Sequence, residues 1–198
     1  MTHQNIWAVG RNYARHAAEM KADIPTEPLF FLKAGSCLHL ENKINLPAWS
    51  KEINYELELA FLIDENLNFS HLTLALDLTA RDQQALAIKN GTPWTLSKSF
   101  KQSCPIATWI KLDEMENFKF YLEKNNQKVQ QGSLNEMLFK PVQLLNYAKD
   151  HFPIIKNDIL LTGTPEGVGP LQMGDKLNAK LFSELQNKEI LNTNWIIE

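Results

Sequence analysis

Segments with the pattern of β-strands outnumber helical segments along this chain, and no regular helix connects one strand to the next. The clearest strand is predicted over residues 53–63, where polar and apolar side chains alternate over several positions. A doubly wound parallel sheet requires a crossover helix after each strand, so this order of elements argues against such a sheet. The sequence therefore predicts a β-rich α+β domain.

Local signals predict the remaining elements. Helices are expected over residues 12–21, 79–89 and 141–151, with Asn12 and Thr79 as N-caps of the first two. A hairpin is expected where residues 118–122 and 128–131 flank Asn125-Asn126. Short strands are predicted over residues 29–33, 158–161, 176–182 and 190–197.

Composition excludes several classes of protein. The chain has 198 residues, of which 44% are hydrophobic and 22% charged, so it can bury a core and is not disordered. Its net charge of −3, without a basic stripe, predicts no nucleic-acid partner. No apolar run reaches the ~18 residues of a membrane helix. With no visible secretory signal and only two cysteines, Cys37 and Cys104, a cytoplasmic protein is expected.

Two glutamates, Glu56 and Glu58, lie two positions apart in the predicted strand 53–63. Side chains i and i+2 share a face of a strand, so these carboxylates point one way while Leu57 and Leu59 point the other way. Adjacent carboxylates repel unless a cation lies between them, and hard divalent cations prefer such oxygens. The alternative is a polar strand face exposed to solvent, which needs no ligand.

Three further residues invite similar alternatives. Asp77 lies between two leucines just before the predicted helix 79–89, as either a residue of the helix cap region or a third metal ligand. His16 and Glu19 are neighbours on the first predicted helix, three residues apart. A carboxylate beside an imidazole is the arrangement of a general base, but the same spacing is typical of an ordinary ion pair on a helix surface.

Two lysines and one glycine-rich segment complete the candidates. Lys33 and Lys98 follow or lie among uncharged residues, so each either faces a buried anion or extends to the surface. The segment 162–170 contains three glycines, which either let backbone N–H groups approach an anion or form a tight turn. The chain has no GxSxG, HExxH or CxxC motif, so serine hydrolases, zincins and thioredoxin-like enzymes lose their support.

Taken in chain order, these features resemble the fumarylacetoacetate hydrolase family, and most closely its small acylpyruvases. The resemblance covers nearly the whole chain. It rests on Gly10-Arg11-Asn12-Tyr13, His16, Glu19, Phe31-Leu32-Lys33, Glu56-Leu57-Glu58-Leu59, Asp77, Thr79-Ala80-Arg81-Asp82, Pro93-Trp94, Lys98-Ser99-Phe100 and the segment 162–170.

The resemblance implies one catalytic domain over residues 1–198, with a mixed β-sandwich-like roll and short helices, usually as a homodimer. Residues 1–27 would include a mobile lid helix that carries His16 and Glu19 over the substrate. Mg²⁺ or Mn²⁺ would be held by Glu56, Glu58 and Asp77, and Lys98 would bind the substrate and its developing enolate. Substrate contacts are expected from Arg11, Tyr13, Lys33, Gln84 and Thr164.

The activity implied by the resemblance is hydrolysis of a C–C bond in small 2,4-dioxo acids (acylpyruvates), with His16 as the base for water. Oxaloacetate decarboxylation, oxo-acid isomerisation or tautomerisation at the same site, and a non-catalytic binding protein of the same fold are the alternatives. One feature departs from the family pattern: only 19 positions separate Glu58 from Asp77, fewer than relatives usually have. The position of Asp77 against the glutamates is therefore the part of the site that the sequence determines least.

Overall fold

The computed structural model describes residues 5–20 and 23–198. In chain order, the strands are β1 (Asn5–Gly10), β2 (Leu29–Ala34), β3 (Leu38–His39), β4 (Lys43–Ile44), β5 (Ile53–Tyr55), β6 (Leu57–Ile63), β7 (Phe69–Leu76), β8 (Thr79–Ala80), β9 (Cys104–Pro105), β10 (Ile110–Lys111), β11 (Phe118–Lys124), β12 (Gln127–Ser133), β13 (Ile159–Leu161), β14 (Gly169–Pro170), β15 (Lys176–Ser183) and β16 (Lys188–Ile197). The α-helices are α1 (Ala14–Glu19), α2 (Arg81–Asn90), α3 (Thr95–Lys98) and α4 (Pro141–His151).

Two sheets form the body of the molecule. A six-stranded sheet has the order β10-β7-β6-β13-β1-β2, and a five-stranded sheet has the order β12-β11-β15-β16-β4. The largest apolar cluster joins the two sheets, with Leu57 and Leu59 of β6 in the same cluster as Phe120 of β11 and Leu181 of β15. This sandwich of mainly antiparallel strands with short helices confirms the expected fold class.

The predicted strand 53–63 is two strands that belong to different sheets. β5 lies in a three-stranded sheet with β14 and β8, whereas β6 lies in the six-stranded sheet, and Glu56 is the residue between them. The predicted alternation is present, because Leu57 and Leu59 enter the core between the sheets while Ala60 and Leu62 enter a cluster on the opposite face. Both faces are buried, so the alternative of a solvent-exposed polar face is wrong.

The short segment between Glu58 and Asp77 is a tight hairpin. β6 and β7 pair directly, and the Asp64 side chain accepts hydrogen bonds from the backbone N–H groups of Asn66 and Asn68 in the turn. In this register Glu58 lies opposite Ala75, and the backbone N–H of Asp77 donates to the carbonyl of Glu56 at 2.8 Å. The shortened segment therefore still brings Asp77 beside the glutamates.

The predicted N-caps Asn12 and Thr79 are wrong, because both side chains form hydrogen bonds elsewhere in the structure. α1 begins at Ala14, and the amide of Asn12 bonds the backbone of Phe139 and the carbonyl of Thr162 instead. α2 begins at Arg81, since Thr79 is extended and pairs with β5, and its hydroxyl donates to the carbonyl of Asp77. The predicted end of the first helix, Lys21, lies outside the described residues.

Other expected elements agree closely with the structure. β11 and β12 form the predicted hairpin around Asn125 and Asn126, and both residues have positive φ. α4 has the predicted bounds, with Pro141 at its first position. Among the described residues, no helix has the length and apolar character needed to span a membrane.

Candidate functional site

Three carboxylates meet where β5 and β7 end and β6 begins. Glu56 lies between β5 and β6, Glu58 is the second residue of β6, and Asp77 directly follows β7. One oxygen from each carboxylate lies within 4.8 Å of the others, and all three side chains are buried. The hairpin register produces this grouping, because it sets the end of β7 beside the start of β6.

Cationic side chains surround two of these carboxylates. Nζ of Lys98 donates to Oε2 of Glu56 at 2.8 Å and to Oδ2 of Asp77 at 2.6 Å. Nζ of Lys33 donates to Oδ1 of Asp77 at 2.7 Å, and the guanidinium of Arg81 donates to Oε1 of Glu56. Both lysines are therefore buried and face anions, as one of the two sequence interpretations holds.

Glu58 has a different environment from its two neighbours. Oε2 of Glu58 accepts a hydrogen bond from the backbone N–H of Gly163 at 2.7 Å, and no cationic side chain of the described residues forms an ion pair with it. Burial and the nearby charges of Asp77 and Glu56 raise the pKa of Glu58 well above its usual range. Burial is the largest cause of this pKa shift, and a cation among these three oxygen donors would offset the repulsion that adds to it.

For two neighbouring groups, Glu56 and Lys98, the surrounding charges favour the charged form. Burial works against the charged form of Glu56, but Lys98 and Arg81 outweigh it and hold the pKa of that carboxyl well below its usual range. Burial would also lower the pKa of Lys98, whereas Asp77 and Glu56 raise it above its usual value. The ammonium of Lys98 is thus charged at neutral pH.

The donor set fits a hard divalent cation. It offers carboxylate oxygens alone, which suits Mg²⁺ or Mn²⁺ better than a metal that prefers sulfur or imidazole ligands. Glu58 is buried without an ionic partner among the described side chains, so it would gain a favourable charge interaction. The residues present therefore fit the metal that the sequence resemblance implies.

A cavity of about 100 Å³ lies against this cluster. Glu56 and Lys98 form part of its wall, while Glu58 and Asp77 are not among its lining residues. The lining residues come from β1, α1, β2, α2 and α3 and the segments next to them: Gly10, Arg11, His16, Met20, Phe31, Glu56, Arg81, Gln84, Ile88, Trp94 and Lys98.

The predicted histidine–carboxylate pair is present on α1. Nδ1 of His16 lies 3.2 Å from Oε2 of Glu19, and the His16 ring is nearly buried against the cavity. The backbone N–H of Gly167 donates to Glu19 at 3.2 Å. An imidazole whose ring is held by a carboxylate is able to accept and return a proton in this cavity.

The glycine-rich segment 162–170 binds two anions of the protein itself. The N–H of Gly163 donates to Glu58, and the N–H of Gly167 donates to Glu19. Of the two interpretations of this segment, the one in which backbone N–H groups approach an anion is therefore present, and the anions are carboxylates of the protein itself. The segment 162–170 therefore contacts both the carboxylate cluster and α1.

The structure brings some predicted substrate-binding residues to the cavity and keeps others away. Arg11 and Gln84 line it, as do His16 and Lys98. Lys33 does not, because its ammonium is fully buried between Asp77 and the carbonyls of Leu78 and Lys98.

Tyr13 and Thr164 are also not among the residues that line this cavity, so their contact with substrate stays a prediction. The Tyr13 hydroxyl donates to the carbonyl of Ser133 within the main core, where burial raises its pKa. The Thr164 hydroxyl donates to the carbonyl of Leu57 and accepts from Gln130. Both hydroxyl groups are thus engaged by the protein.

Arg81, which the sequence resemblance included without a role, lines the cavity and donates hydrogen bonds to Glu56 and Gln84. Its spacing from Gln84 would have revealed this position, since residues three apart on a helix share a face. Met20, Ile88 and Trp94 were missed as lining residues, because apolar side chains give no chemical signal in a sequence.

Comparisons with known proteins extend these observations. The sequence profile described as "Fumarylacetoacetate (FAA) hydrolase C-terminal" matches residues 5–190. Mitochondrial oxaloacetate tautomerase FAHD1 of Bos taurus is 35% identical over 199 aligned residues, which cover 93% of this chain and 90% of that protein. Mitochondrial oxaloacetate decarboxylase of Dictyostelium discoideum is 39% identical over 188 residues, covering 87% of this chain and 86% of that protein.

A solved structure shows the same fold. Fumarylpyruvate hydrolase from Pseudomonas aeruginosa, in complex with Mn²⁺ and pyruvate, superposes with a TM-score of 0.88 at 25% identity. The alignment covers 99% of this chain and 91% of that chain.

Proposed function

The chain belongs to the fumarylacetoacetate hydrolase family, and we propose on that premise that it is a divalent-metal-dependent enzyme that converts a small 2-oxo acid through its enolate. The observation that carries the proposal is the set of three buried carboxylates within 4.8 Å of one another, beside Lys98 at the wall of a small cavity. Oxaloacetate is the first substrate to test, because the two relatives described above are named for its tautomerisation and decarboxylation.

Each residue at the cavity has a role in this proposal. Glu56, Glu58 and Asp77 would hold the cation, which would supply Lewis acidity toward the oxygens of the oxo acid. Lys98 would stabilise the negative charge that develops on the enolate oxygen.

Proton movement and binding fall to other residues. His16, whose ring Glu19 orients, would take a proton from C3 or return one to it, which tautomerisation requires in both directions and decarboxylation requires after CO₂ leaves. Arg11 and Arg81 would attract the carboxylates of the substrate, since both line the cavity and carry fixed positive charge.

C–C hydrolysis of an acylpyruvate is the second candidate, favoured by the His16–Glu19 pair. This reaction needs a base for water: water adds to the distal carbonyl, the bond to C3 breaks, and the pyruvate enolate leaves and is protonated. The same pair and the same enolate-stabilising ammonium would serve both reactions, so the two activities are compatible in one site.

Three assays on the purified protein, with Mg²⁺, Mn²⁺ or EDTA, separate these reactions. Decay of the oxaloacetate enol absorbance without pyruvate formation reports tautomerisation, and pyruvate formation from oxaloacetate reports decarboxylation. Loss of acetylpyruvate absorbance with formation of pyruvate reports hydrolysis. We expect metal-dependent turnover in at least one assay, and the absence of turnover in all three would contradict the proposed activity.

The metal assignment has its own test in Glu58→Gln. The amide keeps the size of the side chain and an oxygen for the Gly163 N–H, but it is a poorer ligand for a hard cation. We expect Mn²⁺ affinity to fall at least tenfold by titration calorimetry, whereas Glu65→Gln, on the exposed turn between β6 and β7, should retain the affinity of the unmodified protein. Equal Mn²⁺ affinities of the two variants would exclude Glu58 as a ligand.

Three further expectations remain proposals. The chain would act as a single catalytic domain, as a homodimer, and in the cytoplasm. Sedimentation equilibrium of the purified protein tests the second, with a monomer at all concentrations as the contradicting result.

A further inference from the structure

One face of α2 runs along the cavity from its charged end to its mouth. Arg81, Gln84 and Ile88 occupy positions i, i+3 and i+7, which share one face of a helix, and all three line the cavity. Gln84 is only 7% exposed, whereas Ile88 is 57% exposed, so the face runs from the buried interior to the surface. Arg81 and Ile88 are roughly 10 Å apart along the helix axis.

The residues at the outer end of this face are apolar. Ile88 shares the cavity lining with Met20, Phe31 and Trp94, and we call these four residues the apolar rim. The rings of Phe31 and Trp94 contact each other at a centroid distance of 5.8 Å. Nζ of Lys98 lies 4.8 Å from the centroid of the Phe31 ring, so Phe31 marks the border between the cationic wall and the rim.

The cavity wall is longer than the substrate that the named relatives suggest. A four-carbon diacid with C–C bonds near 1.5 Å spans about 5 Å, roughly half the length of the α2 face. With its oxo-acid end at Lys98 and Arg81, such a diacid would end before Ile88. A second carboxylate at the rim would also lose hydration against apolar side chains, which disfavours it there.

We propose that the apolar rim binds an alkyl or aryl group at the distal end of the substrate, so that the site favours 2-oxo and 2,4-dioxo acids with an apolar tail over acids long enough to place a second carboxylate at the rim. This proposal rests on the proposed function, because it requires the oxo-acid end to lie at Lys98. Ile88 is the residue that sets the preference, since at 57% it is the most exposed apolar residue of the rim and lies at its outer end.

Binding of straight-chain 2-oxo acids to the Mn²⁺-loaded protein tests the rim without requiring turnover. The series runs from pyruvate to 2-oxooctanoate and is measured by titration calorimetry. Each buried methylene strengthens binding by about fourfold at most, and by roughly twofold where the tail stays half exposed. We expect the dissociation constant to fall by a factor in this range for each added carbon that reaches the rim.

Two substitutions on α2 give a matched pair. Ile88→Gln places a polar group on the rim, and Leu86→Gln makes the same kind of change at a residue that is 51% exposed but does not line the cavity. In Ile88→Gln, we expect at least tenfold weaker binding of 2-oxooctanoate and unchanged binding of pyruvate. Leu86→Gln should bind both ligands as the unmodified protein does.

A dissociation constant that is the same across the series, or equal losses in the two variants, would overturn the rim proposal; so would failure of every 2-oxo acid to bind. Assays of oxaloacetate and acylpyruvate turnover separate this result from the fate of the proposed function. Chain-length-dependent binding without turnover supports the rim and contradicts the enzymatic activity. Turnover together with a dissociation constant that does not change with chain length contradicts the rim proposal and supports the enzymatic activity.

Discussion

The carboxylate cluster and the helix α1 are two parts of one site, and their side chains are held in very different ways. Glu56, Glu58 and Asp77 are buried at strand ends, and each is fixed by ion pairs or a backbone N–H. Glu19 lies on the six-residue helix α1, is 34% exposed, and is held by contacts of 3.2 Å.

Because of this difference, the two parts contribute unequally to the free energy of unfolding. Removing one partner of a buried ion pair leaves an uncompensated charge in a poorly hydrated place, whereas a half-exposed pair is screened by water and contributes little to stability. The cluster therefore keeps its three carboxylates in fixed positions, whereas the His16–Glu19 pair on α1 contributes less to stability. The mobile lid within residues 1–27 that the sequence resemblance implies stays a prediction.

The largest effect is expected from Lys33→Met, which tests the fixed part. Methionine keeps the length of the side chain but removes the ion pair to Asp77 and the donor to the carbonyls of Leu78 and Lys98. We expect the free energy of unfolding, measured by urea denaturation in EDTA, to fall by about 3–5 kcal/mol.

Lys111→Met is the control for this change. Lys111 also forms an ion pair, with Asp113 at 3.1 Å, but both side chains are 78% exposed. We expect no measurable change in unfolding free energy for this variant. If the two variants were equally stable, the buried ammonium of Lys33 would contribute no more than a surface ion pair, and the contrast between the two parts of the site would fail.

An intermediate effect is expected from Gly163→Ala, at the segment that joins the two parts. Gly163 has a φ of +89°, and a Cβ added there would lie 2.8 Å from Cβ of Asn12 and 3.1 Å from the carbonyl oxygen of Val9. Alanine thus adds a steric conflict to the backbone strain of positive φ. We expect a loss of about 3 kcal/mol in unfolding free energy.

Gly174→Ala separates the cost of backbone strain from the cost of the steric conflict at Gly163. Gly174 has the same φ of +89° but no atom within 4 Å of the added Cβ, so only the backbone strain remains, at about 1 kcal/mol. Equal losses in the two variants would show that the contact with Asn12 relaxes freely. The segment would then not be a rigid link between the cluster and α1.

Much of the site followed from the sequence, because it depends on local periodicity. The spacing of Glu56 and Glu58 predicted that their carboxylates lie together, and they do, although Glu56 lies between two strands. The i, i+3 spacing of His16 and Glu19 predicted their contact. The hairpin at Asn125 and the helix α4 followed in the same way from turn and cap signals.

Contacts between residues distant in the chain account for the expectations that the structure does not bear out. Asn12 and Thr79 have side chains typical of N-caps, but each is claimed by a partner on another element. Lys33 was expected to bind substrate and that role stays a prediction, but the segments that carry Leu78 and Lys98 enclose its ammonium. Whether a polar group faces a cavity or lies behind its wall depends on how the sheets pack, which no local pattern encodes.

The smallest effect on stability is expected from Glu19→Gln on α1, a change that should affect turnover much more than stability. The amide oxygen still accepts from the Gly167 N–H, but the negative charge beside His16 is lost. We expect unfolding free energy to change by less than about 1 kcal/mol, because the side chain is partly exposed. We expect acylpyruvate hydrolysis to slow by about tenfold to a hundredfold, since an oriented base contributes at this scale or more.

Arg15→Gln on the same helix is the control, because Arg15 is 78% exposed and contacts only the exposed Glu166 among the ion pairs of the described residues. It should leave both stability and turnover unchanged. Oxaloacetate decarboxylation in Glu19→Gln supplies the internal comparison, since loss of CO₂ needs no attacking water and should slow less than hydrolysis does. Equal slowing of the two reactions would mean that the pair acts on a step common to both, such as protonation of the enolate, and not on the activation of water.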